Sequence, residues 1–229
     1  MSPSTGRTAA CRSCYGGRLW AVPGTLAWRF HLPHNVARKD AVEKLEGARI
    51  VTKNWTAIKG ALSGFSRVQL VGLVQDLYRA DPKNQDFLHA RFLVSDGGTD
   101  LSPYKKRIKA AINPSRWDAT IKYRDARRAI SDYNKARGQL GETLELMFFY
   151  VKCGNDVTLE FGDMDETFYN SMGSMFGSIV KKLSVQADPE LTATWLDRLE
   201  KEYQRVANTG WGYGNELGGY LEDLRSSQT

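Results

Sequence analysis

Leu140-Gly141-Glu142-Thr143-Leu144-Glu145-Leu146-Met147-Phe148-Phe149-Tyr150-Val151-Lys152-Cys153 is the stretch on which the fold turns. Leu144, Leu146, Met147, Phe148, Phe149 and Val151 fall nearly all round a helical cylinder instead of along one stripe. A helix of that kind needs neighbours on every side. The pattern therefore predicts a central buried helix, ended by Gly154. It is too short for a membrane span, which takes ~20 apolar residues, and Glu142, Glu145 and Lys152 accompany it.

Working outward, the flanking sequence supplies the helices that would cover it. Lys122 to Arg137 places Tyr123, Ala126, Ile130 and Tyr133 on one face and Arg124, Arg127, Arg128 and Lys135 on the other, with Gly138 as terminator. Further upstream, Ser66 and Gln69 form a capping box, and Phe65 and Leu70 are spaced as its hydrophobic staple. Leu70, Leu73, Val74 and Leu77 then follow the i, i+3, i+4, i+7 rule of a core-facing stripe. Asp81-Pro82, Ser102-Pro103 and Asp188-Pro189 each set a capping side chain before a proline at the first helical position. Tyr104, Ile108, Ala111 and Ile112 form the stripe after Pro103, which Asn113-Pro114 closes. Leu191, Trp195, Leu199 and Val206 form the stripe after Pro189.

Asp163 is read as the cap, with Glu166 in the capping-box position, of a helix carrying Phe168, Met172, Met175, Phe176, Ile179 and Leu183. Gly173 and Gly177 lie one turn apart in that helix. Each costs roughly 1 kcal/mol against alanine, so close packing on another helix is expected there. A last helix starts near Tyr213, with Leu217, Tyr220, Leu221 and Leu224. Val157 to Phe161 has strand-like composition but no partner strand, so it reads as a helical turn or an extended linker. The expected fold is all-α: an antiparallel helical bundle or a superhelical stack of helix pairs over residues 51–229. Residues 1–50 are expected to be a disordered or non-native extension.

Charge supports that division. The chain has 229 residues and a net charge of +6. Residues 1–50 hold 8 Lys and Arg against 3 Asp and Glu, which accounts for nearly all of the excess. Residues 1–39 contain no acidic residue, as in a transit peptide. Cys11-x2-Cys14 and His31-x2-His34 hold zinc-ligand types at poor spacing. The preferred reading is that this segment arises from start-site choice, with Val51 at an alternative start codon. Three cysteines, an odd number, give no disulfide framework and suit a cytoplasmic chain. Cys153 reads as a small core residue.

Several fragments resemble a bacterial family, domain of unknown function 6155. They are Leu73-Val74-Gln75-Asp76-Leu77-Tyr78, Asp86-Phe87-Leu88-His89-Ala90-Arg91-Phe92, Lys122 to Tyr133, Phe161 to Tyr169, and Gly210-Trp211-Gly212-Tyr213. In order and spacing they span roughly residues 53–225. The resemblance implies a compact helical protein of the bacterial cytoplasm, with no activity and no catalytic residue to carry over.

Three constellations could carry function. Residues 101–137 hold 11 basic and 3 acidic residues. Among them Lys105, Lys109, Arg124, Arg127 and Arg128 are the candidate binding residues. Such a face could meet phosphates, or it could be solvated and meet the acidic C-terminal half. Asp156, Glu160, Asp163, Asp165 and Glu166 could ligate a divalent cation, or cap and flank helix starts. Gly210 to Gly214 could cradle a phosphate at a helix start, or be a tight turn in which Trp211 or Tyr213 plugs the core. His89 has no partner for catalysis nearby in sequence. No triad motif, phosphate-binding loop or metalloprotease helix is present.

The expected function is a non-enzymatic module that binds a protein or peptide between helices, with no metal, no cofactor and no membrane. The alternatives are a nucleic-acid or phosphate-binding protein acting through the basic face, and a metal-dependent enzyme using the acidic cluster near Asp163.

Overall fold

The computed structural model describes residues 54–95, 97–113 and 120–227. The reading of residues 1–50, with Cys11, Cys14, His31 and His34, lies outside them. The described residues form nine helices: α1 Trp55–Leu62, α2 Arg67–Ala80, α3 Pro82–Phe92, α4 Ser102–Ile112, α5 Tyr123–Ala136, α6 Leu140–Phe161, α7 Glu166–Gln186, α8 Pro189–Val206 and α9 Tyr213–Ser226. A two-stranded antiparallel hairpin, β1 Val94–Ser95 and β2 Gly98–Thr99, joins α3 to α4. The fold is all-α, as the periodicities predict. The chain divides into two units between Lys59 and Gly60, within α1, and only residues 54–59 of the first are described.

Helix starts follow local chemistry. Ser66 Oγ accepts from the Gln69 N–H at 3.3 Å while Gln69 Oε1 accepts from the Ser66 N–H at 2.8 Å, completing the capping box of α2. Asp81 caps α3 and Asp188 caps α8, each with proline in the first turn. Two boundaries differ from expectation by one or two residues. Ser102 is the first residue of α4, and the Asp100 carboxylate accepts its N–H at 2.9 Å. The cap of α7 is Asp165, whose Oδ1 accepts from the Phe168 N–H at 2.8 Å. Asp163 instead accepts the Tyr169 hydroxyl at 2.6 Å.

The central helix α6 is longer than the sequence reading. It runs through Gly154 and takes in Val157 to Phe161, ending at Gly162, where φ is +90°. Gly154 is a packing glycine. A Cβ there would collide with the thioether of Met172 on α7, which is itself fully buried. The strand-like composition of Val157 to Phe161 is overridden because Val157 and Thr158 face the core.

One hydrophobic core sits among α3 to α9, with Ala90 the buried residue of α3. α4 packs on α5 and α6, α6 on α7, and α7 on α9. Every residue of the stripes expected on α4 and α7 is buried, and Trp195, Leu199 and Val206 seat α8. Tyr104 and Tyr133 meet edge to face at 5.5 Å between ring centroids, a favoured aromatic geometry. Gly173 and Gly177 lie where Glu216 and Tyr220 of α9 cross α7, which is the close approach expected of them.

The stripe on α2 is the exception. No residue of α2 is buried, although a stripe of similar helical periodicity is buried on α4. α2 folds back on α3 through Asp81, and the pair is pinned by Tyr78 Oη to His89 Nε2 at 3.0 Å and by Asn84 Nδ2 donating to Leu77 O at 2.7 Å. Among the described residues, no helix is long and apolar enough to cross a membrane.

Candidate functional site

The basic residues chosen from the sequence do not form one face. Lys105 donates to Glu145 Oε1 at 3.0 Å and lies over the Phe149 ring. Glu145 also accepts from Arg198 at 2.7 Å, so one carboxylate of α6 ties α4 to α8. Burial raises the Glu145 pKa, but these two cations overcome it and hold the carboxyl below its ordinary range. Arg127 donates to Ser171 O at 3.1 Å and covers the Tyr150 ring. Lys105 and Arg127 therefore serve packing. Lys109 and Arg124 are exposed.

Arg128 is the member that lines a depression. It joins Lys83 of α3, Arg107, Ala110 and Ala111 of α4, and Lys122 and Asp125 at the start of α5, around a cleft of about 340 Å³. Lys83, Arg107 and Lys122 were missed as site residues because they come from three separate elements. Nothing in linear spacing brings them together.

The acidic cluster is dispersed among structural roles. Asp156 accepts from Lys152 and from Arg205, at 2.8 Å and 2.7 Å. Asp163 serves Tyr169, and Asp165 caps α7. Among the described residues, no group of three or more His, Cys, Asp or Glu side chains is placed to hold a metal ion. His89 is exposed and spends its Nε2 on Tyr78.

The glycine–aromatic turn splits its two aromatics. Tyr213 is fully buried and its hydroxyl donates to Asn155 Oδ1 at 2.9 Å. Asn155 Nδ2 donates in turn to the buried carboxylate of Glu202 at 2.9 Å, and Arg205 closes the chain at 2.7 Å. Each buried polar group of this chain has a partner, which is how a polar network fixes packing. Burial pushes the Tyr213 hydroxyl far above its ordinary pKa, so it stays a neutral donor. Trp211 points to solvent, 65% exposed, with φ at +60°, a conformation uncommon for a bulky residue.

Among the described residues, a row of apolar side chains is left open on α2. Leu70, Val71, Val74 and Leu77 are 39%, 62%, 46% and 50% exposed, and Val68 at the helix start is 81% exposed. The stripe expected to face the core was Leu70, Leu73, Val74 and Leu77; it shares three residues with this row, while Leu73 is half-buried and Val71 was not part of it. Periodicity reports that a face is apolar, not what covers it. Set beside known proteins, the chain matches no family model, no curated protein and no solved structure.

Proposed function

We propose that the protein is a helical interaction module that takes an amphipathic helix of a partner protein against the apolar face of α2. The observation that carries this reading is the row Leu70, Val71, Val74 and Leu77, aliphatic and half-exposed on a well-capped helix. An amphipathic helix ordinarily turns such a face to the core, and contiguous exposed apolar surface marks interaction sites. The i, i+1, i+4, i+7 pattern is matched by another helix laid alongside. Strand addition has little to build on, because the sheet among the described residues is a hairpin with two residues per strand. Covering each half-exposed side chain contributes roughly 1 kcal/mol, so the row can anchor a helix without a large interface. The reading is independent of the resemblance to domain of unknown function 6155, which implies no activity.

A photo-crosslinking residue at position 71, introduced in the source cell, tests it. Position 190, exposed on α8, is the control. Position 71 should capture a defined protein that position 190 does not, and Leu77→Asp should abolish the capture. The same products from both positions, or none from position 71, would contradict the reading. Capture of a second copy of the chain would replace the heterologous partner with a dimer.

A further inference from the structure

We propose that the cleft between α3, α4 and the start of α5 binds a phosphate-class oxyanion carried by a small molecule. It shares no residue with the α2 face and stands or falls separately from it.

Four cations, Lys83, Arg107, Lys122 and Arg128, converge on the cleft, against one carboxylate in its lining, Asp125. Lys83, Lys122 and Arg128 make no ion pair among the described residues. Converging like charges repel, and an anion between them relieves the repulsion.

Arg107 adds a built feature. Its Nη2 donates to Asp132 Oδ2 at 2.6 Å, which fixes the guanidinium. Its Nη1 is buried and has no hydrogen-bond partner. A buried donor left unpaired is costly and calls for an explanation. Arg107 also borders the cleft, so its fixed guanidinium presents positive charge to an oxyanion there. Two guanidinium forks, from Arg107 and Arg128, suit the several oxygens of a phosphate.

The backbone adds to this. Lys122 N–H donates to Ala111 O at 2.9 Å, holding the start of α5 against α4. α5 has no side-chain cap, in common with α4, α6 and α9. The Asp125 N–H is spent on Lys122 O at 2.9 Å, and the positive dipole end of α5 lies beside Lys122 and Asp125. Ala110 and Ala111 leave the floor open. The volume of about 340 Å³ is at the small end of ligand sites, enough for a phosphate group and a short carrier.

Calorimetry on the full chain, at constant ionic strength, tests the proposal with inorganic phosphate, pyrophosphate and glycerol phosphate. Saturable one-to-one binding of at least one of them is expected, with pyrophosphate alone favouring an inorganic ligand and glycerol phosphate an esterified one. Lys122→Gln and Arg128→Gln should each weaken it by about tenfold, while Lys109→Gln and Arg124→Gln, on exposed residues outside the cleft, change it by less than about twofold. Because these side chains are solvent-facing, unchanged thermal midpoints will show that the variants fold. Arg107→Lys keeps the charge and removes the fork, and should weaken binding as Arg128→Gln does. No saturable binding, or equal losses from Arg124→Gln and Arg128→Gln, would overturn the proposal. So would tighter binding of an oligonucleotide lacking terminal phosphates with the loss spread over Lys109 and Arg124, which would make the patch a polynucleotide surface.

Discussion

Asn155 is fully buried at the centre of a polar chain. Both ends of its amide are used, toward Glu202 and from Tyr213. Asn155→Ala strands a buried carboxylate and a buried hydroxyl together, and should lower stability by about 2–4 kcal/mol in urea titration. A loss below about 0.5 kcal/mol would show that the network is solvated. Glycine substitutions separate two kinds of close approach. At Gly214 an added Cβ meets the backbone carbonyl of Ala207, which cannot step aside, whereas at Gly173 it meets only the carboxyl end of the exposed Glu216. Gly214→Ala should therefore cost about 2–4 kcal/mol. Gly173→Ala should stay within about 1 kcal/mol, since helix propensity offsets the crowding. Cys153 is buried, and burial pushes its thiol up to about 11. Peptide mapping after native alkylation at pH 8 should find Cys153 unmodified until denaturant is added.

Two helices of similar pattern behave differently, and their elements explain why. On α4 the stripe meets α5 and α6, so Ile108→Ala should cost about 2–5 kcal/mol. On α2 the stripe meets no comparable cover, so Leu77→Asp should leave the thermal midpoint within a degree or two while removing partner capture. A fall as large as that of Ile108→Ala would mean that α2 belongs to the core. The contrast marks what the sequence could reveal. Spacing located the helices and the faces of α4, α5, α7, α8 and α9, because amphipathicity and capping are local. It ended α6 too early at Gly154, because a glycine shaped by Met172 looks the same in sequence as a terminator. It sent the α2 face inward, because the cover of a face is a tertiary fact. The site was less legible still. Arg128 was singled out, but its companions Lys83, Arg107 and Lys122 join it only through packing of α3, α4 and α5. Lys105 and Arg127 were singled out for their charge, and their partners Glu145 and Ser171 lie on other helices.

Across the whole molecule, ion pairs of α6 tie distant helices together and set the acid response. Glu145 holds Lys105 and Arg198, and Asp156 holds Lys152 and Arg205. Both carboxyls are buried enough to be raised, yet their hydrogen-bonded cations bring them below ordinary values of 4.5 and 3.8. A depressed folded pKa contributes stability that is fully present above the ordinary value and is lost as pH falls through the folded one. The thermal midpoint should thus be flat from pH 7 to about 5 and fall below about 4.5, and Glu145→Gln should make that fall shallower.

The picture as a whole is a core of α3 to α9 with α2 outside it and the apolar face of α2 exposed. Hydrogen exchange on the isolated full chain, followed by mass spectrometry, tests this most directly. The account predicts strong protection for α6 and α7 and little for Arg67–Ala80, with exchange there at least about a hundredfold faster. Protection of α2 equal to that of α6 would contradict it.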